Sequence, residues 1–143
     1  MIVGSQAFFK NIKGFTPSDI DILEFVENPS YFKNVRQFRF EKKCVFQWRD
    51  MSASEFVKVT LLRNTPLEAC KFIVPEFINK VNLTLDQLKE LEPLFNKLSD
   101  KHSYVRLIYE FYIANNGFYL TDQQLQAAYE KYKKYRLNHE QVS

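Results

Sequence analysis

The sequence predicts an α+β fold, with a small mixed β-sheet in the N-terminal half, helices packed on it and a helical C-terminal subdomain. Two observations carry this. Short β-type runs fill the chain up to Trp48, and from Ser52 onward a single helix-start device recurs. A third bounds the organisation: the 143 residues show no repeat, low-complexity tract or linker. One domain over 1–143 is expected, with an α/β core over 1–64 and a helical subdomain over 65–143.

The strand candidates come first. Ile2-Val3 is a short apolar run that ends at Gly4-Ser5, the pattern of a strand stopped by a tight turn. Ile20 to Leu23 is the second. Arg36-Gln-Phe-Arg-Phe40 and Cys44-Val-Phe-Gln-Trp48 flank the polar Glu41-Lys-Lys43 and read as a hairpin. Glu27-Asn-Pro-Ser-Tyr31 is a turn cluster between these runs.

The helical half is punctuated by capping boxes. Ser52-Ala-Ser-Glu55, Thr65-Pro-Leu-Glu68, Thr84-Leu-Asp-Gln87 and Thr121-Asp-Gln-Gln124 each set a hydroxyl three residues before Glu or Gln. In that arrangement the two side chains each satisfy an orphan backbone N–H. Helices are expected over about 53–63, 66–80, 85–98, 101–115 and 122–136. Pro75 should kink or split the second, and Asn116-Gly117 should stop the fourth.

Composition narrows the function classes. A hydrophobic fraction of 45% with 3 Gly and 5 Pro excludes a disordered chain, and 14 Phe and 8 Tyr supply a dense aromatic core. The net charge of +3 permits an anionic partner without the basic stripe of a dedicated nucleic-acid binder. Cys44 and Cys70 lack CxxC spacing and read as reduced core thiols. No charged-then-apolar leader and no membrane-length apolar run is present, so a cytoplasmic location without membrane partners is expected. Asn82-Leu-Thr84 reads as capping chemistry rather than a glycosylation site.

The chemistry-bearing signal is Asp19-Ile-Asp-Ile-Leu23 beside Gly4-Ser5. On a strand, alternation puts Asp19 and Asp21 on one face, about 7 Å apart along the chain. Two hard carboxylate ligands next to a Gly-Ser bend suit Mg²⁺ and a nucleotide phosphate. A blander reading competes: Thr16-Pro-Ser-Asp19 is a good helix start, which would make both acids solvated first-turn residues.

Gly-Ser at a strand end, a short insert, and Asp-x-Asp on the next strand together resemble the nucleotidyltransferase superfamily related to DNA polymerase β. The resemblance covers Met1 to about Trp48, and small members include minimal bacterial and phage accessory proteins. It implies binding of a Mg²⁺-nucleoside triphosphate and transfer of a nucleoside monophosphate to a hydroxyl on a protein, small molecule or nucleic acid. By the resemblance, Gly4 and Ser5 form the phosphate turn, Asp19 and Asp21 are the catalytic metal ligands, and Lys10 and Lys13 lie in a loop near the phosphates. Active members add a third carboxylate on a later strand. Here Lys43-Cys-Val-Phe-Gln-Trp48 holds no acid; Glu41 precedes it and Asp50 follows. A catalytically inactive binding or regulatory module is therefore the alternative, and a helical interaction protein the next.

Other features read as structural. His102 and His139 have no neighbouring ligand pattern. Tyr129-Glu-Lys-Tyr-Lys-Lys-Tyr-Arg136 suits either base stacking or a C-terminal helix with tyrosines turned inward. A helix-turn-helix is disfavoured by the long connection Asn115 to Thr121. Arg36, Arg39, Lys42, Lys43 and Arg49 cluster around the hairpin and would hold triphosphate or an acidic partner if it lies beside the Asp pair; otherwise they form a solvated face.

Overall fold

The computed structural model describes the backbone of residues 1–17, 19–29, 32–37 and 41–140 and the side chains of 1–17, 19–29 and 43–136. The class is α+β. The chain divides into two compact units, Met1–Ser52 with Lys71–Asn82, and Ala53–Cys70 with Leu83–Ser143. The helical stretch 71–82 thus belongs with the sheet, although no change in composition marks it.

In the first unit, strand β1 (Ile2–Val3) leads through Gly4 into a short helix α1 (Ser5–Phe9), and then come β2 (Asp19–Phe25), β3 (Phe32–Gln37) and β4 (Glu41–Trp48). They form one sheet in the order β1-β2-β4-β3. β1 runs antiparallel to β2 with Val3 opposite Asp21, and β2 runs parallel to β4 with Asp21 opposite Cys44. β3 closes the far edge antiparallel to β4.

Two boundaries differ from the sequence expectation. β3 spans 32–37 rather than beginning at Arg36, and Glu41-Lys-Lys43 opens β4 instead of linking the hairpin. Ladders hold these polar residues extended: Glu41, Lys42 and Lys43 pair with Gln37, Arg36 and Val35 of β3, and Lys42 and Lys43 pair on the other side with Asp19 and Ile20 of β2. Phe38, Arg39 and Phe40 lie outside the described residues, as do Ser30 and Tyr31 of the turn cluster.

One face of this sheet is apolar at one end and acidic at the other. Leu23, Phe46 and Trp48 are buried, and the same alternation carries Asp19, Asp21 and Cys44 onto that face. The end of helix α3 (Pro66–Phe72) and helix α4 (Pro75–Val81) cover it. Phe72 meets the rings of Phe46 and Trp48 edge-on, at 5.7 and 5.4 Å, and Phe77 stacks on Phe25 at 6.2 Å.

The second unit holds α2 (Ala53–Arg63), α3 as far as Cys70, α5 (Leu85–Glu90), α6 (Glu92–Phe95), α7 (Ser103–Ala114) and α8 (Asp122–Glu140). The break expected at Pro75 is present between α3 and α4. The helix expected over 85–98 is also split, because Pro93 has no N–H to bond the carbonyl of Lys89, and α5 ends before it.

The capping boxes at Thr84/Gln87 and Thr121/Gln124 are both formed. At the end of α7 a Schellman closure forms, with Gly117 N–H on the Tyr112 carbonyl and Asn116 N–H on that of Ile113. Asn116 rather than Gly117 takes the left-handed position. Arg106 donates to the carbonyls of Phe95, Asn96 and Leu98, at and just beyond the end of α6. Tyr129 and Tyr132 are buried, so these two tyrosines are not a base-stacking platform. Among the described residues, no helix is long and apolar enough to cross a membrane.

Candidate metal and nucleotide site

Residues 19–25 are extended, which corrects the helix-start reading of Thr16–Asp19. Local alternation alone would favour no particular face. Burial decides it, because Leu23 must reach the apolar side, and a period of two then fixes Asp21 and Asp19 beside it. The parallel register brings Cys44 alongside. One ligand atom from each of Asp19, Asp21 and Cys44 lies within 4.8 Å of the others. The Cys44 S–H donates to Asp19 Oδ2 at 3.8 Å.

Asp21 is the unusual member, at 6% exposure. Its Oδ2 lies 3.5 Å from Lys71 Nζ, whereas Oδ1 is buried without a hydrogen-bond partner. Lys71 comes from the end of α3, and its ammonium also stands 5.1 Å from the Phe46 ring centre. A carboxylate oxygen buried without a partner is costly, and the Lys71 ammonium offsets part of that cost at the other oxygen.

Gly4 completes the arrangement. Its backbone, at φ 77° and ψ −154°, occupies a region essentially confined to glycine. Its N–H donates to the Lys71 carbonyl at 3.2 Å. A Cβ at this position would sit 2.7 Å from Asp21 Oδ2. To the phosphate-turn role expected of Gly4 the structure therefore adds another: the glycine makes room for the buried carboxylate.

Electrostatics follow from this burial. Desolvation pushes the Asp21 carboxyl above its ordinary pKa of 3.8, Lys71 pulls it back, and Asp19 pushes it up again. A raised acid binds more protons folded than unfolded between the two pKa values, so stability falls as pH rises from 3.8 through the folded value. In chelated buffer, Asp21→Asn should therefore gain stability relative to wild type as pH rises through that window and hold a constant difference on either side of it. Parallel denaturant titrations across the acid range check this; a difference independent of pH would contradict it.

Of the other residues expected at the site, Ser5 opens α1 directly after the bend, half-buried. Lys10 is exposed at the end of α1, lining a cleft of about 330 Å³ with Ile2, Ala7, Val74, Pro75 and Glu76. Lys13 is exposed in the loop beyond. Among the described residues, neither lysine forms an ion pair with Asp19 or Asp21. Cys44 and Lys71 are the members that sequence reasoning missed. For Lys71 a signal existed, a lone cation in the apolar run Ala69 to Val74.

Compared with protein families, curated proteins and solved structures, the chain matches none. Function is therefore read from the geometry.

Proposed function

We propose that this protein binds a nucleoside triphosphate together with a divalent cation held by Asp19 and Asp21, in the manner of a small nucleotidyltransferase. The observation that carries the reading is the meeting of three features: paired carboxylates on an extended strand, a glycine-only bend against one of them, and a buried carboxylate oxygen without a partner. Asp19 and Asp21 offer the hard oxygens that Mg²⁺ requires, and such an ion completes its shell with substrate phosphates and neutralises their charge. The Ser5 hydroxyl, next to the bend, donates to a phosphate oxygen. Lys71 keeps a positive charge beside Asp21.

Binding without turnover is the second reading, and Cys44 favours it. The residue that register sets opposite Asp21 is a thiol, where an active transferase needs a carboxylate to serve the attacking hydroxyl. Glu41 lies within β4 but before Lys42, the partner of Asp19.

Calorimetric titration with ATP, CTP, GTP and UTP, with and without Mg²⁺, tests the shared claim. Cation-dependent binding of at least one nucleotide is expected, lost by tenfold or more in Asp19→Ala and Asp21→Ala. The absence of binding by wild type contradicts both readings. Incubation with labelled nucleotide and acceptor-containing lysate then separates them, since only a transferase leaves label on a macromolecule or small molecule.

A further inference from the structure

We propose that Asp19, Asp21 and Cys44 form a site for a borderline-soft divalent ion of the Zn²⁺ type, filled in preference to Mg²⁺ and without any nucleotide. A thiol is a poor partner for Mg²⁺ but a good one for Zn²⁺ or Co²⁺, which accept sulfur and carboxylate oxygen together. The spacing fits. A tetrahedral ion at ordinary Zn–S and Zn–O lengths separates the two donor atoms by about 3.6 Å. Cys44 Sγ and Asp19 Oδ2 are 3.8 Å apart.

Asp21 supplies the independent observation. Its two oxygens are already differentiated: Oδ2 is held by Lys71, and Oδ1 is buried with no hydrogen-bond partner. A carboxylate that ligates a metal is commonly held in this way, one oxygen fixed by a supporting group and the other left for the ion. Asp19 is half-buried and on the same face, and one ligand atom from each of the three residues already lies within 4.8 Å of the others. When the ion binds, the Cys44 proton leaves to solvent and the thiolate becomes the third ligand, with water in the fourth place.

The site shares Asp19 and Asp21 with the nucleotide reading but needs no nucleotide, so the two proposals fail separately. The test is titration of the chelator-treated full chain with Co²⁺ alone. One equivalent should produce a thiolate-to-cobalt charge-transfer band in the near ultraviolet. The band should persist in Cys70→Ser, vanish in Cys44→Ser, and need at least tenfold more Co²⁺ in Asp21→Asn. Zn²⁺ should abolish it, and about a hundredfold excess of Mg²⁺ should not. No band in wild type, a band surviving Cys44→Ser, or displacement by Mg²⁺ overturns the proposal. X-ray absorption of Zn²⁺-loaded wild type needs no variant: one sulfur at about 2.3 Å supports the proposal, and an all-oxygen shell overturns it.

Discussion

Phe72→Ala should lower the stability of the sheet unit by about 3–5 kcal/mol, the largest loss expected from a single truncation in it. Phe72 is 2% exposed and touches the rings of Phe46, Trp48 and Phe77, so its removal leaves a cavity walled by rigid aromatics that cannot collapse into the space. The sheet beneath cannot close the gap, since β4 is fixed by ladders on both sides. The chain has a single tryptophan, Trp48, and its ring centre lies 5.4 Å from that of Phe72. Urea unfolding followed by tryptophan fluorescence therefore reports on this unit directly. A shift below about 1 kcal/mol would mean that Phe72 does not anchor the helical cover to the sheet.

Gly4→Ala comes next, at about 2–4 kcal/mol, and for two separable reasons. Holding a non-glycine residue in this backbone region costs about 1–3 kcal/mol. The new methyl would also meet Asp21 Oδ2 at 2.7 Å, forcing the carboxylate off Lys71. A double-mutant cycle distinguishes these parts. In an Asp21→Ala background the collision is gone and only the backbone contribution remains, so the Gly4→Ala cost should shrink by about 1 kcal/mol. An unchanged cost would show that Gly4 and Asp21 do not meet. Because the same methyl displaces a proposed ligand, Gly4→Ala should also weaken cation binding under conditions where the variant is fully folded.

How much of this was legible in the sequence depends on whether the determinant is local. Strand β2 and the shared face of Asp19 and Asp21 follow from alternation within a few residues, and the start of α2 and the boxes at Thr84 and Thr121 follow from three-residue spacing. The break at Pro75 was visible for the same reason. Pro93 carried an equal signal, and the structure shows it splitting α5 from α6.

What lay hidden is register and long-range packing. Cys44 looks like one more apolar strand residue until β2 and β4 are aligned, and a slip of one residue would have turned it to the other face. Lys71 is far from Asp21 in sequence and arrives through the Phe72 and Phe77 contacts of a segment that reads only as helix. Likewise the end of β3 and the start of β4 are set by the pairing partner, not by the polarity of Glu41-Lys-Lys43.

We propose that Asp19 and Asp21, framed by Gly4 and Lys71, hold a cation. Crystals grown with Mn²⁺ and a non-hydrolysable nucleoside triphosphate would locate it, because manganese marks its position by anomalous scattering. An anomalous peak at about 2.2 Å from a carboxylate oxygen of each aspartate is the expected result. A peak elsewhere, or none with the Lys71–Asp21 pair intact and the nucleotide bound at another place, would contradict it.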